Sequence, residues 1–378
     1  MPGIGTSGFF VCRRADVASA FCSFSAVIGE WTLKVYVLFF CLNADGRRRK
    51  NNDPSGGHHK KRRSQMTYET FRNEVLQGLQ CREIGNVSLS LTKRLKSNGQ
   101  MKYGVVFNNL TTNTSPVVYL EEYYEFYQIT RDLDTVIDML AGLYRTLPVI
   151  QLDKKEFFNF STAKSRIIMK LVNTDKNRIL LETVPHIPFQ DLSIVYYYLI
   201  SNSDGIILDM PVNDKLLMKW GVDTLTLHQQ AVTNYNRLLP VKFGNLNQFL
   251  LENGSLEKEY YAAISDNNGS EELYFLSNEF LTGGAVLMTC KNLMDEIADF
   301  FQEDFYILPS SVNEVLLFPE SKAPPKEKLD KMIQEINRDY LEPEDYLSDH
   351  AYYYSRSGQD SNAYYIQSLF QHSPKSIS

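Results

Sequence analysis

Apolar and polar positions in the last third of the chain alternate in a way that predicts strands around one helix. In the stretch from Asp304 to Phe318, a Pro-Ser-Ser turn separates two β-prone runs, which is typical of a β-hairpin. Two further apolar runs, Leu273 to Asn278 and Gly283 to Thr289, are expected to form a second strand pair. Between the two pairs, Lys291 to Gln302 has the apolar period of a helix. The order predicts a ββαββ unit.

The same patterns predict the earlier elements. Met66 opens a helix with Thr67 as its N-cap, and Asn86 to Leu95 is expected to pair with Tyr103 to Leu110 across a Ser-Asn-Gly turn. A helix is predicted within Ser115–Gln128, and Thr130 is expected to cap the next helix. Further predicted helices are Lys155–Phe160, Asp175–Val184, Asp214–Trp220, Asp223–Tyr235 and Lys326–Tyr340. Predicted strands are Arg166–Asn173, the end of Ile187–Ile200, Gly205–Met210 and His350–Arg356.

These elements predict an α+β protein. A helix-rich N-terminal region precedes mixed or antiparallel sheets that carry helices on one face. The expected regions are a disordered basic extension (1–65), an N-terminal α+β region (66–150), a central α+β region (151–256), the ββαββ unit with an appended helix and strand (257–356), and a flexible tail (357–378).

Charge separates the first 65 residues from the rest of the chain. They hold 11 Lys/Arg and 4 Asp/Glu, which leaves 28 basic and 41 acidic residues for 66–378. The acidic body argues against general nucleic-acid binding, so the basic segment Arg47 to Arg63 is the one candidate for that function. The apolar run Val35 to Leu42 is too short to span a bilayer, and no membrane association is expected. Alternatively, Met66 is the true start of the protein and the first 65 residues are a start-site artefact.

Five cysteines are scattered along the chain and form no C-x-x-C pair. Neither a disulfide framework nor a zinc site is therefore predicted, and a reducing compartment, the cytoplasm, fits best. Phosphate-binding, zinc-protease and nucleophile-elbow motifs are also missing from the sequence, so no cofactor or metal is expected. These observations remove the common enzyme classes and leave the question of catalysis open.

Weak candidates for chemistry remain. His186 with Asp191 could form a base oriented by a carboxylate, although a ring nitrogen bonded to the backbone is the simpler interpretation. Ser310, Ser311 and Glu314 cluster at the hairpin turn, where hydroxyls commonly bond their own backbone. His228 lies on the inner side of a helix. Five acidic residues could bind a divalent cation or form a solvated helix face: Asp295, Glu296, Asp299, Glu303 and Asp304.

Several motifs occur in one order along the chain, among them MTYETFRNEVL, VPHIPFQDLSIVYYYLI, YNRLLP, DFYILPSSVNEVLLFP and EPEDYLSDHAYYYSR. With them the chain resembles a bacterial family of unknown function, domain of unknown function 5688, over about Met66 to Arg356. Through DLSIVYYYL, the WG pair, LLP and the last hairpin it is distantly similar to domain of unknown function 1444. The resemblance implies a bacterial, cytosolic origin and supplies no reaction, cofactor or catalytic residue.

Two functions from different classes are expected on this basis. The first is a non-catalytic module that binds protein through an acidic, aromatic-rich surface, since the chain holds 23 Tyr and 22 Phe. The alternative is a hydrolase or other small-molecule enzyme with a site near His186 and the Ser310-Ser311 turn. The sequence does not indicate the oligomeric state.

Overall fold

A computed structural model describes residues 66–109, 112–146, 151–203, 206–252 and 273–356. The predicted basic extension with its apolar run, and the predicted tail, lie outside the described residues. Among the described helices, none has both the length and the apolar character needed to cross a bilayer. Three antiparallel sheets with helices packed against them confirm the predicted α+β class.

The N-terminal region packs a three-stranded sheet against three helices. Its elements are α1 (Tyr68–Gln80), β1 (Val87–Leu95), β2 (Met101–Asn109), β3 (Val117–Tyr119), α2 (Glu121–Thr130) and α3 (Leu133–Thr146). The Thr67 side chain accepts a hydrogen bond from the amide of Thr70, which confirms the predicted N-cap. β1 pairs with β2 across the 3-10 turn Ser97–Gly99, as the alternation of apolar residues predicts.

Two local predictions in this region are wrong at their boundaries. The residues before Glu121 form a strand, β3, because Val117 to Tyr119 add to the edge of β2. The cap of α3 is Asp132, whose carboxylate accepts from the amide of Thr135 at 3.0 Å, and not Thr130. Aspartate is the more favourable of the two residue types at an N-cap, which agrees with the observed position.

The central region is built around one long strand. Its elements are α4 (Lys154–Phe158), α5 (Phe160–Ala163), β4 (Ile167–Asn173), α6 (Arg178–Leu181), β5 (His186–Phe189), β6 (Leu192–Ser203), β7 (Ile206–Pro211), α7 (Asp214–Trp220) and α8 (Thr224–Leu238). β6 pairs with β4 on one side and with β5 and then β7 on the other, all antiparallel. The antiparallel neighbour predicted for β6 is confirmed.

The C-terminal region holds a five-stranded sheet in the order β12-β10-β11-β9-β8. Its elements are β8 (Val241–Asn245), α9 (Leu246–Glu252), β9 (Tyr274–Asn278), α10 (Lys291–Phe301), β10 (Phe305–Pro309), β11 (Val315–Pro319), α11 (Lys326–Asp339) and β12 (Tyr352–Tyr354). The predicted hairpin is confirmed as β10 and β11. Helices cover both faces of this sheet and not the single face expected, with α10 on one face and α9 and α11 on the other. All five residues of β11 are therefore buried.

The segment Gly283 to Thr289, predicted as a strand, is a 3-10 helix over Gly284–Thr289. All six of its residues are buried, and a short apolar run has no period that separates a strand from a helix. The amides of Gly284 and Ala285 donate to the carbonyls of Asn313 and Val312 in the hairpin turn. The unit therefore reads strand, 3-10 helix, α-helix, strand, strand, and the ββαββ order is wrong at its second strand.

One buried cluster joins the central and C-terminal regions. It includes Ile194 and Tyr196 of β6, Leu227 of α8, Ile297 of α10 and Leu317 of β11. A separate cluster fills the N-terminal region. The domain boundaries expected from the sequence stay predictions.

Candidate functional site

Asp191 lies in the tight turn between β5 and β6. Gln190 before it has a left-handed backbone with φ of 54°, and the Asp191 carbonyl accepts from the amide of Thr174 at 3.1 Å. The turn is therefore held against the end of β4. The Asp191 side chain contacts the segment Ser348 to Tyr352, which leads into β12.

Three residues of the segment Ser348 to Tyr352 surround the Asp191 carboxylate. Tyr352 donates its hydroxyl to Oδ1 at 2.7 Å, and Ser348 donates its hydroxyl to Oδ2 at 3.4 Å. The Nε2 atom of His350 lies 3.8 Å from Oδ1. Burial, with a smaller contribution from the charge of Asp191, raises the pKa of Tyr352 well above its usual value. We call Asp191, Ser348, His350 and Tyr352 the Asp191 cluster.

His350 also contacts two groups on its own segment. Its Nδ1 atom lies 3.1 Å from the hydroxyl of Ser348 and 3.3 Å from a carboxylate oxygen of Asp349. A hydroxyl, an imidazole and a carboxylate are the groups used in nucleophilic hydrolysis. Here, however, the Ser348 residue is 1% exposed, so its hydroxyl is closed to a substrate. The cluster acts as a polar link between two distant parts of the chain.

Sequence reasoning singled out Asp191 but not its partners. Tyr352 is 161 residues from Asp191 along the chain, and no local pattern joins them. The imidazole beside Asp191 is that of His350, and the His186 imidazole bonds to the main chain. His186 Nδ1 lies 3.0 Å from the Val184 carbonyl, the simpler arrangement considered above. Three strand residues, about 10 Å, separate His186 from the end of β5.

Ser310, Ser311 and Glu314 lie in the turn of the β10–β11 hairpin, and all three are buried. The Ser311 hydroxyl donates to Glu314 Oε1 at 2.9 Å and accepts from the amide of Asn313. Asn313 in turn accepts from the Ser277 hydroxyl at 2.7 Å through its main-chain carbonyl. The Ser277 bond docks the turn onto β9, and the Ser311 hydroxyl is engaged within the turn itself.

The five acidic candidates on and after α10 are divided among different partners. Asp295 accepts from Lys291 and Tyr354, and Asp299 pairs with Arg356 at 2.8 Å. Glu303 accepts from Ser321, and Asp304 accepts from the amide of Arg356 and the hydroxyl of Tyr353. Burial raises the pKa of Glu296. In the part of the chain that the structure describes, no group of three or more acidic, His or Cys residues is arranged to hold a metal ion.

His228 is buried beneath the central sheet. Its Nδ1 atom lies 2.8 Å from the hydroxyl of Tyr196, and burial lowers the pKa of the imidazole. The pair lies within the largest apolar cluster, since Leu227 and Ala231 on either side of it are fully buried. His228 therefore lies on the inner side of its helix, as the helix period predicts, and is buried.

A shallow groove on the surface of the central region was not predicted. It lies between α4 and the β7–α7 connection, and its apolar wall consists of Phe157, Phe158, Met210 and Leu216. Lys215 and Lys219 border it. We call these six residues the Phe158 groove. Trp220 fixes α7 to α4 below it, because the indole Nε1 donates to the Phe157 carbonyl at 2.9 Å. More than 50 residues separate the two walls in the sequence, so no local motif could indicate the groove.

Comparison with known proteins matches the chain to a family of unknown function (DUF5688). No curated protein and no solved structure matches the chain. The similarity to domain of unknown function 1444 stays a prediction. The family model covers residues 68–356, from the start of α1 to just beyond β12, and so spans every region described above. The chain belongs to the DUF5688 family.

Proposed function

We propose that the protein is a non-catalytic protein-binding module, and that the Phe158 groove receives an acidic segment of a partner protein with an apolar anchor. The observation that carries the proposal is the exposure of large apolar side chains beside two lysines. Phe158 is 39% exposed and Met218 is 72% exposed. Apolar anchors surrounded by charged groups are characteristic of protein interfaces.

The apolar part of this surface continues onto α7. Met218 lies three residues after Lys215, so the two side chains share one face of the helix. Methionine is flexible and polarisable, which suits surfaces that accept a partner side chain. Below, Phe157 packs edge-on against Tyr198 with ring centroids 5.0 Å apart, so the floor of the groove is part of the core. A docked apolar side chain would meet a rigid surface.

Charge supports an acidic partner. The Nζ atom of Lys219 lies 3.3 Å from the centroid of the Phe158 ring, a cation–π contact. Among the described residues, no carboxylate lies within ion-pairing distance of Lys215 or Lys219. Residues 66–378 hold more acidic than basic residues, whereas Lys215 and Lys219 place two positive charges four residues apart on one helix face. They would attract and orient carboxylates of the partner.

The acidic, aromatic surface expected from the sequence is a weaker basis for docking. On α2 the rings of Tyr124 and Tyr127 lie 5.0 and 5.4 Å from that of Phe71, within the N-terminal core. Glu122 and Glu125 remain exposed on the same helix. Carboxylates without apolar anchors provide little binding energy on their own, so the proposal rests on the groove.

Site-specific photo-crosslinking tests this proposal. A photoreactive amino acid is placed at Met218 and, as a control, at Ile179, which is 65% exposed on α6. The partner captured from Met218 in the native cell is then purified and its affinity measured by calorimetry. We expect Lys219→Glu to weaken binding at least ten-fold and added salt to weaken the wild-type complex. Equal affinity of Lys219→Glu and the wild type, or equal capture from both positions, would reject the groove.

A hydrolase is the second candidate, and the Asp191 cluster is the observation that favours it. His350 contacts both a serine hydroxyl and a carboxylate, although the hydroxyl is buried. A fluorophosphonate probe reacts with activated serines and reports on this directly. The module proposal predicts no labelling of the wild type. Labelling that disappears in Ser348→Ala would support the enzyme instead.

A bacterial origin, a cytoplasmic location and nucleic-acid binding by Arg47 to Arg63 stay predictions.

A further inference from the structure

A pocket of about 360 Å³ opens at the junction of the 3-10 helix Lys164–Arg166, β6 and the C-terminal end of α8. Its polar lining comes from Ser165, Arg166, Asn202 and Arg237. It shares no lining residue with the Phe158 groove. The volume lies at the lower end of the range found for small-molecule sites, which is large enough for a small organic anion.

The two guanidinium groups are held in place by the main chain. Arg166 Nη1 donates to the Ile200 carbonyl at 3.0 Å, and Arg237 Nη2 donates to the Ser165 carbonyl at 2.5 Å. Asn234 fixes the 3-10 helix to α8, since its amide nitrogen donates to the carbonyls of Lys164 and Ile167. The positions of both arginines are therefore set before any ligand binds.

Neither arginine is neutralised within the described part of the protein, where no carboxylate approaches either guanidinium to within 4 Å. Arg82 and Arg338, in other parts of the fold, each pair with a carboxylate. A guanidinium has five N–H donors in a planar fork, and each arginine here uses only terminal nitrogens on carbonyl or amide oxygens. Both side chains are exposed and retain donors for an anion.

We propose that this pocket binds the phosphoryl group of a small ligand. Two guanidinium groups that line one pocket provide the charge and the N–H donors that suit a tetrahedral oxyanion with several acceptor oxygens. Ser165 and Asn202 also line the pocket, although the Ser165 hydroxyl donates to the Thr162 carbonyl and the Asn202 amide donates to the Leu238 carbonyl. A monocarboxylate has one negative charge and two acceptor oxygens, so we expect it to bind the two arginines more weakly than a phosphoryl group does.

Calorimetric titration of the full chain with inorganic phosphate and with glycerol 3-phosphate tests the proposal, with acetate at matched ionic strength for comparison. We expect saturable binding of phosphate, and at least ten-fold weaker binding by Arg166→Gln and by Arg237→Gln. Arg338→Gln is the control, because Arg338 is an exposed arginine on α11. Tighter binding of the ester than of phosphate would identify an organic phosphate as the ligand, and the reverse would identify phosphate itself.

Arg237→Gln removes a bond to the main chain and could disturb folding, so a second variant leaves both arginines intact. Asn202→Asp adds a negative charge to the pocket, removes only a long bond of 3.3 Å to the Leu238 carbonyl, and should also weaken phosphate binding at least ten-fold. Thermal unfolding confirms that each variant is folded. Absence of saturable phosphate binding by the wild type, equal binding of acetate, or unchanged affinity in the arginine variants and in Asn202→Asp would overturn the proposal.

Discussion

At the scale of single residues, the polar groups that sequence reasoning nominated hold the fold together. Ser311 bonds Glu314, Asp191 bonds Tyr352, and His186 contacts a main-chain carbonyl. Residue type and spacing suggested that such groups could be reactive. Only their burial and partners distinguish a catalytic group from a structural one, and these depend on residues far away in the sequence.

We expect His228 to make the stability of the fold depend on pH. Burial lowers the pKa of this imidazole in the folded protein below its ordinary value near 6.5. The unfolded chain therefore binds a proton more readily, and the free energy of unfolding should fall as pH decreases below that value. The slope for one proton is at most about 1.4 kcal/mol per pH unit. His228→Asn keeps a polar group beside Tyr196 without a titrating ring, so its stability curve should be flatter between pH 7 and 5.

Urea unfolding of both proteins across this range measures the difference. Parallel curves for the wild type and His228→Asn would mean that His228 does not contribute. Tyr196→Phe, which removes the hydroxyl 2.8 Å from Nδ1, separates the effect of the hydrogen bond from that of burial.

At the scale of elements, sequence patterns were reliable where a period was long or a turn signal was strong. Thr67 starts α1, and the strands of the Asp304 to Phe318 hairpin pair as expected. The failure at Gly284–Thr289 has a physical cause. The main chain at Gly284 lies close to Ser277 of β9 and to Asn313 of the hairpin turn. This contact between three elements favours a 3-10 helix over a strand. The Phe158 groove and the pocket lined by Arg166 and Arg237 could not be predicted either, because each is formed by elements that are distant in the sequence.

The close contact at Gly284 gives a prediction for this element. A Cβ atom there would lie 2.6 Å from the Asn313 carbonyl oxygen and 2.8 Å from Ser277 Cα, both main-chain atoms that cannot move aside. Gly284→Ala should lower the free energy of unfolding by about 1–3 kcal/mol. Gly142→Ala on α3 is the matched control, since a Cβ atom at Gly142 would have no neighbour within 4 Å and alanine favours a helix. Chemical denaturation should show opposite shifts, and equal losses would contradict the explanation.

At the scale of the whole molecule, a buried asparagine of the N-terminal region bonds to both of the other regions. Asn98, at the tip of the β1–β2 hairpin, donates its side-chain amide to the carbonyls of Pro343 and Tyr346 at 2.9 and 2.7 Å. Its amide oxygen accepts from Asn177 at 2.7 Å. Its backbone has φ of 58°, a conformation that asparagine tolerates better than most residues. Three regions therefore meet at a single side chain.

Asn98→Ala should lower the free energy of unfolding by about 2–4 kcal/mol, because the part-buried carbonyls of Pro343 and Tyr346 lose their donor and the Asn177 amide loses one of its two acceptors. Asn98→Asp should be worse, since a carboxylate would face carbonyl oxygens. Hydrogen exchange should report faster opening at residues 97–99 and 343–346 before global unfolding. Uniform loss of protection across the chain would instead show that the three regions unfold as one unit.

The residues from Pro343 to Tyr354 contact all three regions: Asn98 in the first, Asp191 in the second and β10 in the third. They are also nearly the last of the described residues to be synthesised. On the ribosome, the hairpin tip at Asn98 and the turn at Asp191 must wait for this segment to emerge from the exit tunnel. Nascent chains shorter than this length should expose both surfaces to chaperones, and the final assembly of the molecule should follow translation of β12.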